Sequence, residues 1–196
     1  TTPAPENDPV GLSYWFAGAM WGGSDDQTDR FRAEGIWSNG YDDQFNDLVA
    51  RMKPGDRIAI KSSFVQKHRL PFDVGGMPVS CMRIKATGTI TGHGKDARTV
   101  TVDWDASSPP RDWYFYTYRT TLVEADTEDD MALKLIDFTF NGASQDYRWW
   151  LKQHYWATKY SASLAKRPLP DAENEDEDGA GGIDEAPTYT IGDIVA

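Results

Sequence analysis

Two kinds of side chain with recognisable binding chemistry are interleaved up to Arg119: large aromatic rings and cationic groups. The aromatic set comprises Trp15, Trp21, Trp37, Trp104 and Trp113. The cationic set comprises Arg57, Lys61, Lys67, Arg69, Arg83, Lys85, Arg111 and Arg119. Aromatic rings stack on nucleobases and cations neutralise phosphates, so this combination is typical of nucleic-acid recognition.

Patterns typical of catalysis are weak by comparison. The three histidines, His68, His93 and His154, lie far apart in the sequence and match no hydrolase signature. One cysteine and the lack of H-E-x-x-H or calcium-loop patterns disfavour a metal site. Residues 92–96 (GHGKD) depart from a Walker A loop, since an aspartate stands where Ser or Thr would hold Mg²⁺. We therefore expect a binding domain with no catalytic residue, metal or cofactor of its own.

The overall charge of −11 would argue against a nucleic-acid partner if it were evenly spread. It is not, because residues 171–185 carry eight acids and no base. Residues 51–119 instead contain twelve Lys or Arg and six Asp or Glu. The middle of the chain is therefore locally basic, and the acidity belongs to a solvated tail.

Apolar periodicity and turn residues predict an α+β domain with a curved mixed sheet or small β-barrel, flanking helices and further helices at its C-terminal end. Strands are predicted at 12–19, 57–63, 79–91, 98–104 and 112–122. Helices are predicted at 25–34, 42–52, 127–137 and 144–160. The basic, turn-rich segment 64–78 is expected to be a functional loop.

Three tryptophans receive different assignments from their context. Trp15 and Trp104 lie in predicted strands and are expected in the core. Trp37 lies in a Gly-Ile-Trp-Ser-Asn-Gly stretch that is typical of an exposed turn, so its ring is the best candidate for a stacking surface. The alternative is that Trp37 fills the core beside the second helix.

Composition divides the chain into four parts. A flexible leader is expected at 1–11, a recognition domain at 12–165, an acidic linker at 166–187 and the truncated start of a further domain at 188–196. No run of about 18 apolar residues and no signal-peptide pattern is present. With a single cysteine, this favours a cytoplasmic protein.

Several stretches resemble the PUA-like group that includes the EVE and YTH modules. They are Gly35-Ile36-Trp37-Ser38, Pro54-Gly55-Asp56-Arg57-Ile58 and Val102-Asp103-Trp104. In YTH readers, a stretch similar to the first of these places its tryptophan in an aromatic cage around an extruded methylated base. The resemblance thus implies a PUA-like fold and a base pocket around Trp37.

A closer resemblance is to the N-terminal region of McrB-type modification-dependent restriction NTPases. It rests on residues 14–16, 56–63, 67–73, 113–119 and 189–194. It implies a domain that reads modified DNA and is followed by a hexameric AAA+ motor using GTP or ATP with Mg²⁺. The resemblance also implies an McrC-type nuclease subunit as the partner that cuts DNA.

A modified-base site can be assembled from these residues. Trp37 would stack on a flipped base, with Trp21, Trp113 or Tyr118 opposite and Ser38 and Asn39 on the base edge. The expected phosphate ligands are Lys61, Lys67, Arg69, Arg83 and Arg111. Two alternatives are an RNA-binding module with the same pocket and a protein-interaction adaptor that uses the aromatic surface.

Overall fold

The structure is a computed structural model that describes residues 11–165. Its strands are β1 (Tyr14–Ala17), β2 (Met20–Trp21), β3 (Asp25–Asp26), β4 (Ile36–Ser38), β5 (Arg57–Gln66), β6 (Val79–His93), β7 (Thr99–Trp104), β8 (Arg111–Tyr114) and β9 (Leu122–Glu124). Its helices are α1 (Thr28–Glu34), α2 (Asn46–Arg51), α3 (Asp130–Phe140), α4 (Tyr147–Lys152) and α5 (His154–Ala165). The predicted leader as far as residue 10, the acidic linker and the terminal segment lie outside the described residues.

Within the described residues, seven strands form one mixed sheet. The order is β4-β7-β6-β5-β1-β9, with β8 paired to β6, and β2 and β3 form a separate two-stranded sheet. Strand β1 runs parallel to β5 and antiparallel to β9. Because neighbours cover both of its edges, and Trp15, Phe16 and Ala17 are all buried, β1 is a central strand. The predicted α+β class with a mixed sheet is confirmed.

Two predicted elements are each divided in the structure. The strand expected at 112–122 is interrupted after β8, since Phe115 takes a left-handed backbone conformation (φ 77°) and the chain becomes extended again only at β9. The helix expected at 144–160 breaks at Gln153, whose backbone is extended (ψ 141°). The stop predicted for α1 is confirmed, because Gly35 caps it with φ 65°, a conformation that suits glycine.

Of the two tryptophans predicted in the core, Trp15 is fully confirmed and Trp104 is confirmed in part. The Trp15 side chain is completely buried. The Trp104 ring is partly buried against the same cluster, and its Nε1–H donates to the Phe31 carbonyl oxygen at 3.0 Å. Both indole rings therefore contribute to the interior.

A buried carboxylate, Asp56, anchors the start of β5. It accepts hydrogen bonds from the backbone N–H of Ser13 and of Lys53, from Trp15 Nε1 (3.0 Å) and from Lys53 Nζ (2.8 Å). Burial raises the pKa of the Asp56 carboxyl, but the hydrogen bonds outweigh burial and hold the pKa below its usual value. Asp56 thus ties the entry of β1 to the entry of β5.

The described chain divides into two compact units. The first unit contains residues 11–63, 82–113 and 118–145, and the second contains 64–81, 114–117 and 146–165. In the second unit, Phe72 contacts Tyr114, Phe115 and Tyr147, with ring centroids 4.8 to 5.2 Å apart. No helix in residues 11–165 is both long enough and apolar enough to cross a membrane.

Candidate functional site

A cavity of about 250 Å³ lies in the first unit, at the end of β1. Three parts of the chain line it: residues 18–20, the β5 residues Lys61, Ser62 and Ser63, and the residues Lys85, Arg119 and Thr121. A single water molecule needs about 10 to 15 Å³ of such space, so the cavity is far larger than one water site. The cavity can therefore hold a small polar ligand.

The parallel pairing of β1 and β5 explains why the cavity forms here. The two strands are in register up to Ala17 and Ile60, so Gly18 comes level with Lys61. Strand β1 ends at that point, and the Gly18 N–H donates to the Thr121 carbonyl oxygen at 2.6 Å. Strand β5 continues to Gln66, so the departure of β1 leaves space beside the polar end of β5.

Lys61 is the most unusual residue of the cavity, because its side chain is charged and only 4% of the residue is exposed. Its Nζ donates to the carbonyl oxygens of Tyr118 (2.8 Å) and Thr120 (2.6 Å). An ammonium group carries three N–H donors, so these two bonds leave one donor without a partner among the described residues. Burial lowers the pKa of Lys61 to about 8.

The other charges at the cavity are also positive. Lys85 forms an ion pair with Asp26, with 2.7 Å between Nζ and Oδ2, and Arg119 is exposed at the rim. Burial raises the pKa of the Asp26 carboxyl, but hydrogen bonds from Lys85 and Thr28 lower it further, so that the net shift is downward. Among the residues of 11–165 that line the cavity, none is Asp or Glu. The residues that line the cavity are therefore basic, and Asp26 balances the charge of one of them, Lys85.

The prediction that Trp37 lies in an exposed turn is wrong. Trp37 belongs to β4, pairs with Val100 of β7 and is completely buried in the main hydrophobic cluster. Its Nε1–H donates to the Gly18 carbonyl oxygen at 2.9 Å. The enclosed ring has no free face for a base, but it fixes the orientation of a peptide group that lines the cavity.

Ser38 and Asn39 are also buried, and they hold their own loop together. The Ser38 hydroxyl bonds the Thr99 hydroxyl at 2.9 Å. The Asn39 side chain donates to the Gln44 carbonyl oxygen and accepts from the Tyr41 N–H. These contacts use the polar atoms that the sequence suggested for a base edge.

The remaining predicted pocket aromatics do not gather in one place. Trp21 is partly buried, with its ring 6.0 Å from that of Phe31 and the Arg30 guanidinium over its face. Trp113 is buried against Phe138, with the ring centroids 5.0 Å apart. Tyr118 is buried against Phe16, and of the set it is the one whose backbone is bonded by Lys61.

The predicted phosphate ligands have different environments. Lys61 is in the cavity, whereas Lys67 and Arg69 are exposed on the loop after β5, in the second unit. Arg83 pairs with Asp112, with bonds of 2.7 and 2.9 Å. Arg111 lies 3.9 Å above the Phe138 ring centroid and donates to the Phe138 and Ala143 carbonyl oxygens, so it fastens the end of α3.

Sequence reasoning missed several residues of the cavity: Gly18, Ala19, Met20, Ser62, Ser63, Lys85, Arg119 and Thr121. One available signal was the polar run Lys61-Ser62-Ser63 directly after three buried residues of a strand. No local sequence pattern predicts the parallel pairing of β1 and β5 that brings residues 18–20 beside this run.

Comparison with known proteins adds no relative. A scan against protein-family models found no match, and a search of curated proteins found none either. Within residues 11–165, no group of three or more His, Cys, Asp and Glu side chains is placed to hold a metal ion.

Proposed function

We propose that this chain contains a PUA-like DNA-recognition domain that takes an extruded, modified base into the cavity at the end of β1, without catalysis of its own. The observation that carries the proposal is the cavity itself, with its buried Lys61 donor and its lining of serines and cations. The resemblance of several segments to McrB-type restriction NTPases supports DNA as the ligand and an NTPase motor with a nuclease subunit as the partners.

In this proposal, the cavity recognises the base through hydrogen bonds and charge. Extruding a base from a duplex costs a few kcal/mol, which the pocket must recover. Lys61 offers an N–H, while Met20 provides an exposed, polarisable side chain at the rim. No aromatic ring is among the described lining residues, so base stacking is not the main source of affinity.

Cations outside the cavity would neutralise phosphates. Arg119 is exposed at its rim, and Lys67 and Arg69 are exposed on the loop of the second unit. Phosphate contacts set the affinity and its salt dependence, whereas contacts inside the cavity set the preference for one base. The two contributions can therefore be measured separately.

The test is a fluorescence titration with single-stranded, duplex and methylated duplex oligonucleotides and RNA of the same sequence. Ser62→Phe adds a ring at a residue that lines the cavity, and Val65→Phe places the same ring at an exposed position of the same strand. We expect Ser62→Phe to lose the preference for modified duplex at least about tenfold, the equivalent of 1.4 kcal/mol, while Val65→Phe keeps it. Melting curves verify that both variants are folded.

Three outcomes decide between the candidate functions. A Ser62→Phe variant that keeps its preference contradicts the cavity as the base site. Tighter binding of RNA than of any duplex favours the RNA-binding module, and no binding of nucleic acid favours the protein adaptor. Lys67→Ala should weaken modified and unmodified duplex alike and reduce the salt slope by about one.

A further inference from the structure

We infer that the cavity at the end of β1 is an oxyanion-binding site in which Lys61 is the buried donor. The ligand class is a group with anionic oxygens, such as a phosphate or a carboxylate. This goes beyond the proposed function, because it holds whether the oxyanion is carried by DNA or by a small molecule.

The first argument is the placement of the Lys61 ammonium. A lysine that is 4% exposed loses most of its hydration, and carbonyl oxygens compensate for this only in part. Two carbonyls hold Nζ at 2.6 and 2.8 Å in the wall of an open cavity. No described residue provides the carboxylate that usually accompanies a buried cation, so an anion in the cavity would supply the missing counter-charge.

The second argument is the charge of the whole lining. Lys85 on β6 and Arg119 on the 118–121 segment face the same space, and the 18–20 turn brings no ionisable group. The Asp26 carboxylate lies beside this group of cations, since it accepts hydrogen bonds from Lys85 Nζ and from the Thr28 hydroxyl. Because Asp26 balances the charge of Lys85, the buried ammonium of Lys61 is the charge that an oxyanion would compensate.

The third argument concerns hydrogen-bond donors. The Ser63 hydroxyl donates to the Tyr118 carbonyl oxygen at 2.6 Å and holds the wall, so Lys61 is the buried donor that a ligand would meet. Charge-assisted bonds from an ammonium to an anionic oxygen are about twice as strong as neutral ones, so Lys61 would dominate binding.

Binding should depend on pH in a definite direction. With its pKa near 8, Lys61 loses its proton over the range in which sulfate keeps a constant charge. Sulfate affinity should therefore fall up to about tenfold between pH 7 and pH 9, following the fraction of protonated Lys61. Lys61→Met should remove this part of the pH dependence, while any contribution of Lys85, Arg119 or Asp26 would remain.

The experiment is an NMR titration of the intact chain with sodium sulfate at constant ionic strength, following the backbone amides of 18–20 and 61–63. We expect saturable shifts at these amides in the wild type and in Lys95→Met, which removes an exposed lysine outside the cavity. Lys61→Met should bind at least about tenfold more weakly.

A second pair of variants guards against loss of structure in Lys61→Met. Ser62→Asp places a carboxylate on a residue of the cavity lining, and Ser62→Asn adds the same bulk without charge. We expect Ser62→Asp to lose sulfate binding and Ser62→Asn to keep it within about threefold, since only charge distinguishes them. Sulfate shifts that are absent from the cavity, or equal in the Asp and Asn variants, would overturn the inference.

Two further titrations identify the source of the oxyanion. The first compares a deoxynucleoside 5′-monophosphate with its nucleoside, and the second compares duplexes containing 5-carboxycytosine and cytosine. A tenfold advantage for the nucleotide assigns the site to a phosphate, and one for 5-carboxycytosine assigns it to a base carboxylate. Sulfate binding without any preference for modified DNA would support the oxyanion site and refute the base-recognition proposal. A preference for modified DNA without sulfate binding would support base recognition and refute the oxyanion site.

Discussion

Truncation of Trp37 distinguishes a core residue from a stacking residue. The Trp37 side chain is completely buried, so Trp37→Ala removes a large apolar ring from a packed cluster. Such changes cost about 3 to 5 kcal/mol. The same change removes the donor at 2.9 Å from the Gly18 carbonyl oxygen.

Trp37→Phe separates the hydrogen bond from the ring. Phenylalanine keeps most of the apolar volume but has no N–H, so the Gly18 carbonyl oxygen loses its partner. Gly18 is half-buried, so the loss of this hydrogen bond should cost about 0.5 to 1.5 kcal/mol, to which a small cavity adds. We expect Trp37→Phe to remain folded and to be less stable than the wild type by about this amount.

Urea unfolding followed by far-UV circular dichroism provides the measurement, with the free energy of unfolding obtained by linear extrapolation. Trp21→Ala is the matched control, since its ring is only partly buried on the same cluster and its loss should cost less. Wild-type stability in Trp37→Ala, combined with a lost preference for modified DNA, would show that the ring is an exposed stacking surface and would refute this reasoning.

Three more predictions concern charged groups. Burial raises the pKa of Asp56, but hydrogen bonds from Lys53 and Trp15 lower it below its usual value. The stabilising contribution of the Asp56 carboxylate should therefore be complete above about pH 4 and be lost as the pH falls through the folded pKa. Asp56→Asn should cost about 3 kcal/mol at neutral pH and show a smaller acid dependence in urea unfolding; an equal acid dependence would contradict this. Lys61 has a folded pKa of about 8, below its unfolded value near 10.5. Between pH 8 and pH 10.5, the stability of the wild type should therefore rise relative to that of Lys61→Met by up to about 1.4 kcal/mol per pH unit. A stability difference that stays constant over this range would refute the lowered pKa of Lys61. Deleting residues 171–185 should leave DNA affinity unchanged or raise it in the titration, because that acidic run competes with phosphates for the same cations; weaker binding would make it part of the site.

Local sequence patterns were sufficient for many elements of the fold. The alternation in Arg57–Ser63 predicted β5, and the glycine at 35 predicted the end of α1, because strand periodicity and left-handed caps depend on neighbouring residues alone. The same reasoning failed at 115–121 and at Gln153. There the backbone conformation departs from the periodic pattern, and apolar residues continue on both sides.

The candidate site depended on contacts that local patterns do not contain. The sequence alone shows that the middle of the chain is basic and rich in aromatic residues, and it predicts that Lys61 stands in a strand. Strand pairing in the folded chain encloses Trp37 between β4 and β7 and brings Gly18 level with Lys61. The physical reason is that burial and strand register depend on residues distant in the sequence, so the environment that keeps Lys61 from water and lowers its pKa exists only once β1, β5 and the 118–121 segment are together.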